Sequence, residues 1–158
     1  MRIPAKVDYA IRAMAEIASH DGPVKADAIA VAQDLPISYL VGILGDLRRG
    51  RLVSSQRGPD GGFVLDRPAS EIALADIFRV IDGPLAEVHD LSLSNLTYNG
   101  PAADLRDIWI AVRASLRRVL ESVTLQDLIE RRLPEHIAEL VDEYETSMAR
   151  PGHGKERR

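Results

Sequence analysis

The chain has 158 residues, enough for one domain with an appended arm or tail, and its 46% apolar and 28% charged residues fit a globular protein with a core. It contains no Cys, which excludes a disulfide framework, a Cys-ligated zinc site, a Cys-bound iron–sulfur cluster and a thiol nucleophile; its four His are scattered at positions 20, 89, 136 and 153. The net charge of −4 is uneven: residues 1–70 carry nine Lys and Arg against eight Asp and Glu, whereas residues 71–158 carry eleven against sixteen.

No apolar run approaches the roughly 20 residues of a membrane span, and the charged start (Arg2, Lys6, Asp8, Arg12) lacks the apolar stretch of a signal peptide. A cytoplasmic protein with no membrane partner is expected. From Val7 to Ala18, apolar residues recur at helical spacing until Gly22-Pro23. A short helix fits Ala26 to Gln33, broken by Asp34-Leu35-Pro36. Ile37-Ser38 opens a third helix, with Ser38 as its expected N-cap, that buries Leu40, Ile43, Leu44 and Leu47 and ends near Gly50.

There the period changes. Residues 52–57 are β-compatible, Gly62 to Leu65 resembles a partner strand, and Gly58-Pro59-Asp60-Gly61 supplies the turn. Helix, helix–turn–helix and hairpin together form the layout of a winged helix-turn-helix. A fourth helix over Leu74–Ile81, preceded by Ser70, stops at Gly83-Pro84. Residues 85–103 form a long irregular loop. A helix from Ala103 to Val123 follows, with Leu105, Trp109, Val112, Leu116, Val119 and Val123 spaced 4, 3, 4, 3, 4, the seam of a coiled coil and an expected dimer interface. Thr124-Leu125-Gln126-Asp127 resembles a capping box for a short helix through Ile129, and Pro134 to Met148 fits a last amphipathic helix before a disordered tail. The expected fold is mainly α with a small β-hairpin wing. A winged domain over residues 1–83 leads through a loop at 84–103 to dimerisation and C-terminal helices at 104–149 and a tail at 150–158.

In a helix-turn-helix the second helix enters the major groove by its N-terminal end. Ser38 and Tyr39 stand there, able to bond a phosphate or a base, and Val41 on the outer face can meet a thymine methyl. Gly42 and Gly45 cost helix propensity; close backbone approach to DNA and tight packing on another helix explain them equally well. Arg48, Arg49, Arg51 and Arg57 occur with no acid between them. Cations at a helix C-terminus also interact with the macrodipole, yet the four together favour phosphate contacts. Arg57, beside Gly58 and a rigid turn, is placed to enter a narrow minor groove.

These segments resemble the Rrf-two family of bacterial winged helix-turn-helix regulators (IscR-, NsrR- and CymR-like). The resemblance is carried by Asp8-Tyr9-Ala10-Ile11-Arg12-Ala13-Met14, Ile37-Ser38-Tyr39-Leu40, Asp46-Leu47-Arg48-Arg49, Gly50-Arg51-Leu52-Val53-Ser54-Ser55-Gln56-Arg57-Gly58-Pro59-Asp60-Gly61-Gly62-Phe63, Ile77-Phe78-Arg79-Val80-Ile81-Asp82-Gly83 and Thr124-Leu125-Gln126-Asp127-Leu128. It implies a homodimeric transcriptional regulator, most simply a repressor, on a pseudo-palindromic double-stranded operator. The long helix would cross the partner subunit, Ser38 and Tyr39 would contact DNA, and Arg57 would enter the minor groove.

Many members ligate an iron–sulfur cluster through three Cys in the loop before the long helix, and residues 85–103 here have none. Arg106 stands where one branch has a His ligand, Asp8 where some members place an acidic ligand, and Val41 where a Glu affects base choice. Asp8 without thiolates is expected to cap or pair on the first helix, and His89-Asp90 is the one metal-like pair in the loop. A cofactor-free, metal-free regulator is therefore expected. Its effector, a small molecule near Leu91, Leu93, Leu96 and Trp109 or a partner protein, stays open, since those residues also suit a dimer core. The alternative is a winged-helix protein-interaction module without specific DNA binding, motivated by the acidic C-terminal part. An enzyme is not expected: no nucleophile–base pair, metal-ligand cluster or phosphate-binding Gly loop occurs.

Overall fold

Helix α1 (Ala5–Ala18) opens behind Pro4, whose carbonyl oxygen accepts from the N–H groups of Val7 and Asp8 at 3.0 and 3.3 Å. Val7, Ala10, Ala13, Met14 and Ile17 recur every three or four residues and are all buried, so α1 forms the spine of the core. The computed structural model describes residues 3–85 and 95–149. Helices α2 (Ala26–Gln33) and α3 (Ile37–Arg49) pack against α1 and each other. The turn between them is made by Asp34, left-handed at φ 51°; its N–H reaches the Val31 oxygen, and Leu35 N–H reaches Ala30 at 2.9 Å. That double closure ends a helix in a defined direction. Ser38, the expected N-cap, is instead the second residue of α3. Pro36 holds the cap position with an extended backbone and no side-chain bond, because proline's fixed φ already suits a helix start.

Strands β1 (Val53–Gln56) and β2 (Gly62–Leu65) pair antiparallel, with Val53 opposite Leu65 and Gln56 opposite Gly62. Val24, between α1 and α2, bridges to Phe63 through bonds of 3.0 and 2.8 Å, which ties the wing to the helical body. A Cβ at Gly62 would lie 2.6 Å from the Val24 carbonyl, so only glycine permits that approach.

After a 3-10 turn at Ala69–Glu71, helix α4 (Leu74–Asp82) packs on α1 and α3. Helix α5 (Leu105–Ser122) has 18 residues, none buried. Helix α6 (Leu125–Ile129) starts at the expected capping box: Asp127 N–H donates to Thr124 Oγ1 at 3.1 Å, and Thr124 N–H donates to Asp127 Oδ2 at 2.8 Å. Helix α7 (Glu135–Ala149) follows.

The end of α5 corrects the expected seam. Val123 is extended (φ −107°, ψ 123°) and 3% exposed, so it belongs to the core and is not on the open face of α5. There the chain adds a strand-like rung: Leu74 N–H bonds Val123 O and Leu125 N–H bonds Ile72 O, both at 2.9 Å. Leu125 is fully buried with Met14, Leu44 and Ile77, and the winged-helix core therefore takes in a residue far beyond position 83. Within the expected loop, Leu96 is buried and Gly100–Ala102 forms a 3-10 turn. His89, Asp90, Leu91, Leu93 and the tail at 150–158 lie outside the described residues. Among the described residues no single helix is long and apolar enough to cross a membrane.

Candidate nucleic-acid interface

By burying Leu40, Ile43, Leu44 and Leu47, α3 turns its opposite face outward. That face carries Ser38, Tyr39, Val41 and Gly42, all exposed, with Tyr39 at 46% and Val41 at 55%. An apolar Val more than half exposed beside two hydroxyl side chains gives one helix end both apolar and hydrogen-bonding reach. The glycines divide differently from the expectation. A Cβ at Gly42 would meet nothing within 4 Å, and one at Gly45 only the tip of Arg49 at 3.6 Å, so helix packing explains neither. The glycine that does pack is Gly50, where a Cβ would fall 2.5 Å from Val80 Cγ1.

Two residues that sequence reasoning left without a role hold this face in place. The Tyr9 ring on α1 meets Tyr39 edge-on, with centroids 5.7 Å apart and planes at 89°. Arg12 lies over the Tyr9 ring, 5.6 Å from its centroid, and its Nη2 bonds the Gln33 carbonyl oxygen at the end of α2. The available signal was the i, i+3 placement of an aromatic and a cation on a helix otherwise filled with small apolar residues. Asp8 pairs with Arg12 at 3.5 Å, as expected for a residue of the first helix. Lys6 Nζ reaches Asp46 Oδ2 at 2.6 Å and Arg49 joins the same carboxylate. The Lys6 hydrogen bond chiefly, with help from Arg49, holds the Asp46 carboxyl below its ordinary range.

Arg48, Arg49, Arg51 and Arg57 are all exposed. Arg48 Nη1 stands 3.5 Å from Ser55 Oγ, at the junction of α3 and the wing, while Arg49 is shared with Asp46. Arg51 has a left-handed φ of 57°, and Gly58 after Arg57 has φ 109°. On α5, Leu105, Trp109, Leu116 and Val119 are half-buried and Val112 is 37% exposed, next to exposed Ile108 and Ile110. Trp109 Nε1 is buried with no acceptor among the described residues.

A sequence model of the Rrf2 family, described as an iron-dependent transcriptional regulator, matches residues 3–131. The chain belongs to the Rrf2 family. It is 51% identical over 146 residues, 91% of each chain, to Rv1287 of Mycobacterium tuberculosis (strain ATCC 25618 / H37Rv), named as an HTH-type transcriptional regulator. It is 36% identical over 130 residues, 81% of this chain and 89% of the other, to the HTH-type transcriptional regulator CymR of Bacillus subtilis (strain 168). Among solved structures, CymR (YrzC), the global cysteine regulator of B. subtilis, superposes with a TM-score of 0.71 at 35% identity, covering 83% of this chain and 98% of that one. The T. potens IscR structure gives 0.66 at 33% identity, covering 83% and 88%.

This Rrf2 chain is thus a DNA-binding transcriptional regulator with a winged helix-turn-helix, and not an enzyme. For the iron in the family's description, the described residues gather no donor set. The chain has no Cys, and the described residues gather no group of three or more His, Asp or Glu that could hold a metal ion. A Cys-bound cluster does not fit this Rrf2 protein.

Proposed function

We propose that the protein is a homodimeric, cytoplasmic repressor that reads a pseudo-palindromic operator without an iron–sulfur cluster or other cofactor. The observation that carries this reading is the outward face of α3: Ser38, Tyr39, Val41 and Gly42 are exposed on a helix braced from α1 through Tyr39, with four exposed arginines at its end and on the wing. Base edges are met by the first set, phosphates by Arg48, Arg49 and Arg51, and the minor groove by Arg57 beside Gly58. The dimer rests on α5, which buries none of its 18 residues in a single chain while presenting Val112 and, half-buried, Leu105, Trp109, Leu116 and Val119. Two-fold symmetry then pairs two half-sites. Repression is the simpler outcome, since occupying a promoter needs no contact beyond the operator.

Two copies of Arg48, Arg49 and Arg51 give up to six phosphate contacts, for a slope of log affinity against log salt of about −5, rising to about −7 if the two Arg57 side chains also neutralise phosphates. Gel retardation of the fragment upstream of its own gene, over a salt series, measures it. Arg57→Glu is expected to weaken retardation while sedimentation still shows a dimer. A complex indifferent to salt, or no retarded complex, refutes the reading. Metal analysis of the purified protein is expected to show no stoichiometric iron, and a chelator is expected to leave operator binding unchanged.

A further inference from the structure

Where α5 passes over the end of α4, Arg79, Arg113 and Arg117 line a cleft of about 500 Å³ together with Gly83, Pro84 and Leu85. That size suits a small molecule. Among the described residues, the three guanidinium groups are served by two carboxylates: Glu121 pairs with Arg79 and, at 3.0 Å, with Arg117, while Asp76 reaches Arg79 at 3.6 Å. Arg113 shares in neither pair, and its Nε is buried with no hydrogen-bond partner among the described residues. A charged donor withdrawn from water without an acceptor is costly, and native structures rarely leave one so.

We propose that this cleft binds a small multivalent oxyanion, a phosphate ester or a polycarboxylate, with Arg113 as its principal ligand. A guanidinium fork matches either group through two parallel hydrogen bonds. The proposal rests on the regulator reading in one respect only, that the anion is its signal. Arg79 lies next to Val80, and Val80 fills the space at Gly50 where the recognition helix ends. An anion that draws Arg113 and Arg117 of α5 toward Arg79 of α4 therefore loads the element that seats α3. By linkage, whatever factor the anion applies to operator affinity, the operator applies to anion affinity.

Trp109, the single Trp of the chain, lies one turn before Arg113 on α5, outside the cleft lining, and serves as a nearby fluorescence probe beside the calorimetric readout. The test titrates the full-length protein, without DNA and at constant ionic strength, with pyrophosphate and separately with citrate, following Trp fluorescence and calorimetric heat. Saturable binding of one anion per chain is expected for at least one probe. Pyrophosphate alone points to a phosphate ester, citrate alone to a polycarboxylate, and both to selection by charge. Arg113→Gln should weaken binding about tenfold, the loss of one charge-assisted contact, and Arg113→Lys by less, with unchanged melting curves showing that both variants fold. Arg57→Gln should bind as the parent does. The proposal is overturned if neither probe saturates, if folded Arg113→Gln binds as well as the parent, or if Arg57→Gln removes binding, which would place the anion on the DNA face. Because no operator is present, these outcomes stand apart from the gel-retardation result.

Discussion

Arg51 occupies a backbone conformation that side chains avoid, at φ 57° between α3 and the wing. A residue with a Cβ is disfavoured there by roughly 1–2 kcal/mol, and glycine would relieve the strain. On the proposed function, the guanidinium is the reason for an arginine at such a position. Arg51→Gly is expected to leave stability within about 1 kcal/mol of the parent, as relief of strain offsets the freer unfolded chain. Operator affinity should nevertheless fall; urea unfolding and gel retardation on one preparation separate the two effects. The four arginines were legible in the sequence because they form an acid-free run. The brace on Tyr39 was not, since Tyr9 and Arg12 lie about thirty residues away and no local pattern says which face of α1 looks at α3. Val123 misled for the opposite reason. Its 4-3 spacing continues a helical seam, but a β-branched residue also suits the extended rung that ends α5.

Among the elements, α6 shows how little chain can carry a defined start. Five residues cannot hold a helix by propensity, yet the Thr124–Asp127 box was visible in sequence and forms with both reciprocal bonds. The Thr124 N–H, and then its hydroxyl, hold the Asp127 carboxyl below its usual range. A carboxyl lowered in the folded state adds stability above its unfolded value of about 3.9 and loses it as pH falls through the folded value. Asp127→Asn should therefore cost about 1 kcal/mol at neutral pH, the worth of a cap. Its difference from the parent should close below about pH 4, as read from urea midpoints across a pH series. The long α5 was equally plain from its period, whereas its exact end depended on a bridge to Ala73 that only the folded chain brings into place.

At the scale of the whole molecule, α5 is a helix that one chain leaves uncovered. Val112→Glu is expected to produce a folded monomer, because no residue of α5 belongs to the core. Sedimentation should show the halved mass, near-ultraviolet dichroism should keep its signal, and operator affinity should drop by at least about tenfold once two half-sites are no longer gripped together. The chain that builds this arm does not end with it. After α5 it returns to lay Leu125 against α1 and a backbone rung against Ile72 and Leu74. On the ribosome this sets an order. The stretch from the end of α4 to Leu125 takes roughly 2–9 s to make at 5–20 residues per second, and until it emerges α1 lacks part of its cover. A nascent chain thus cannot complete its DNA-binding head before it already carries α5, the arm proposed to meet a partner subunit. Prematurely released fragments are left without a finished head that could occupy the operator alone.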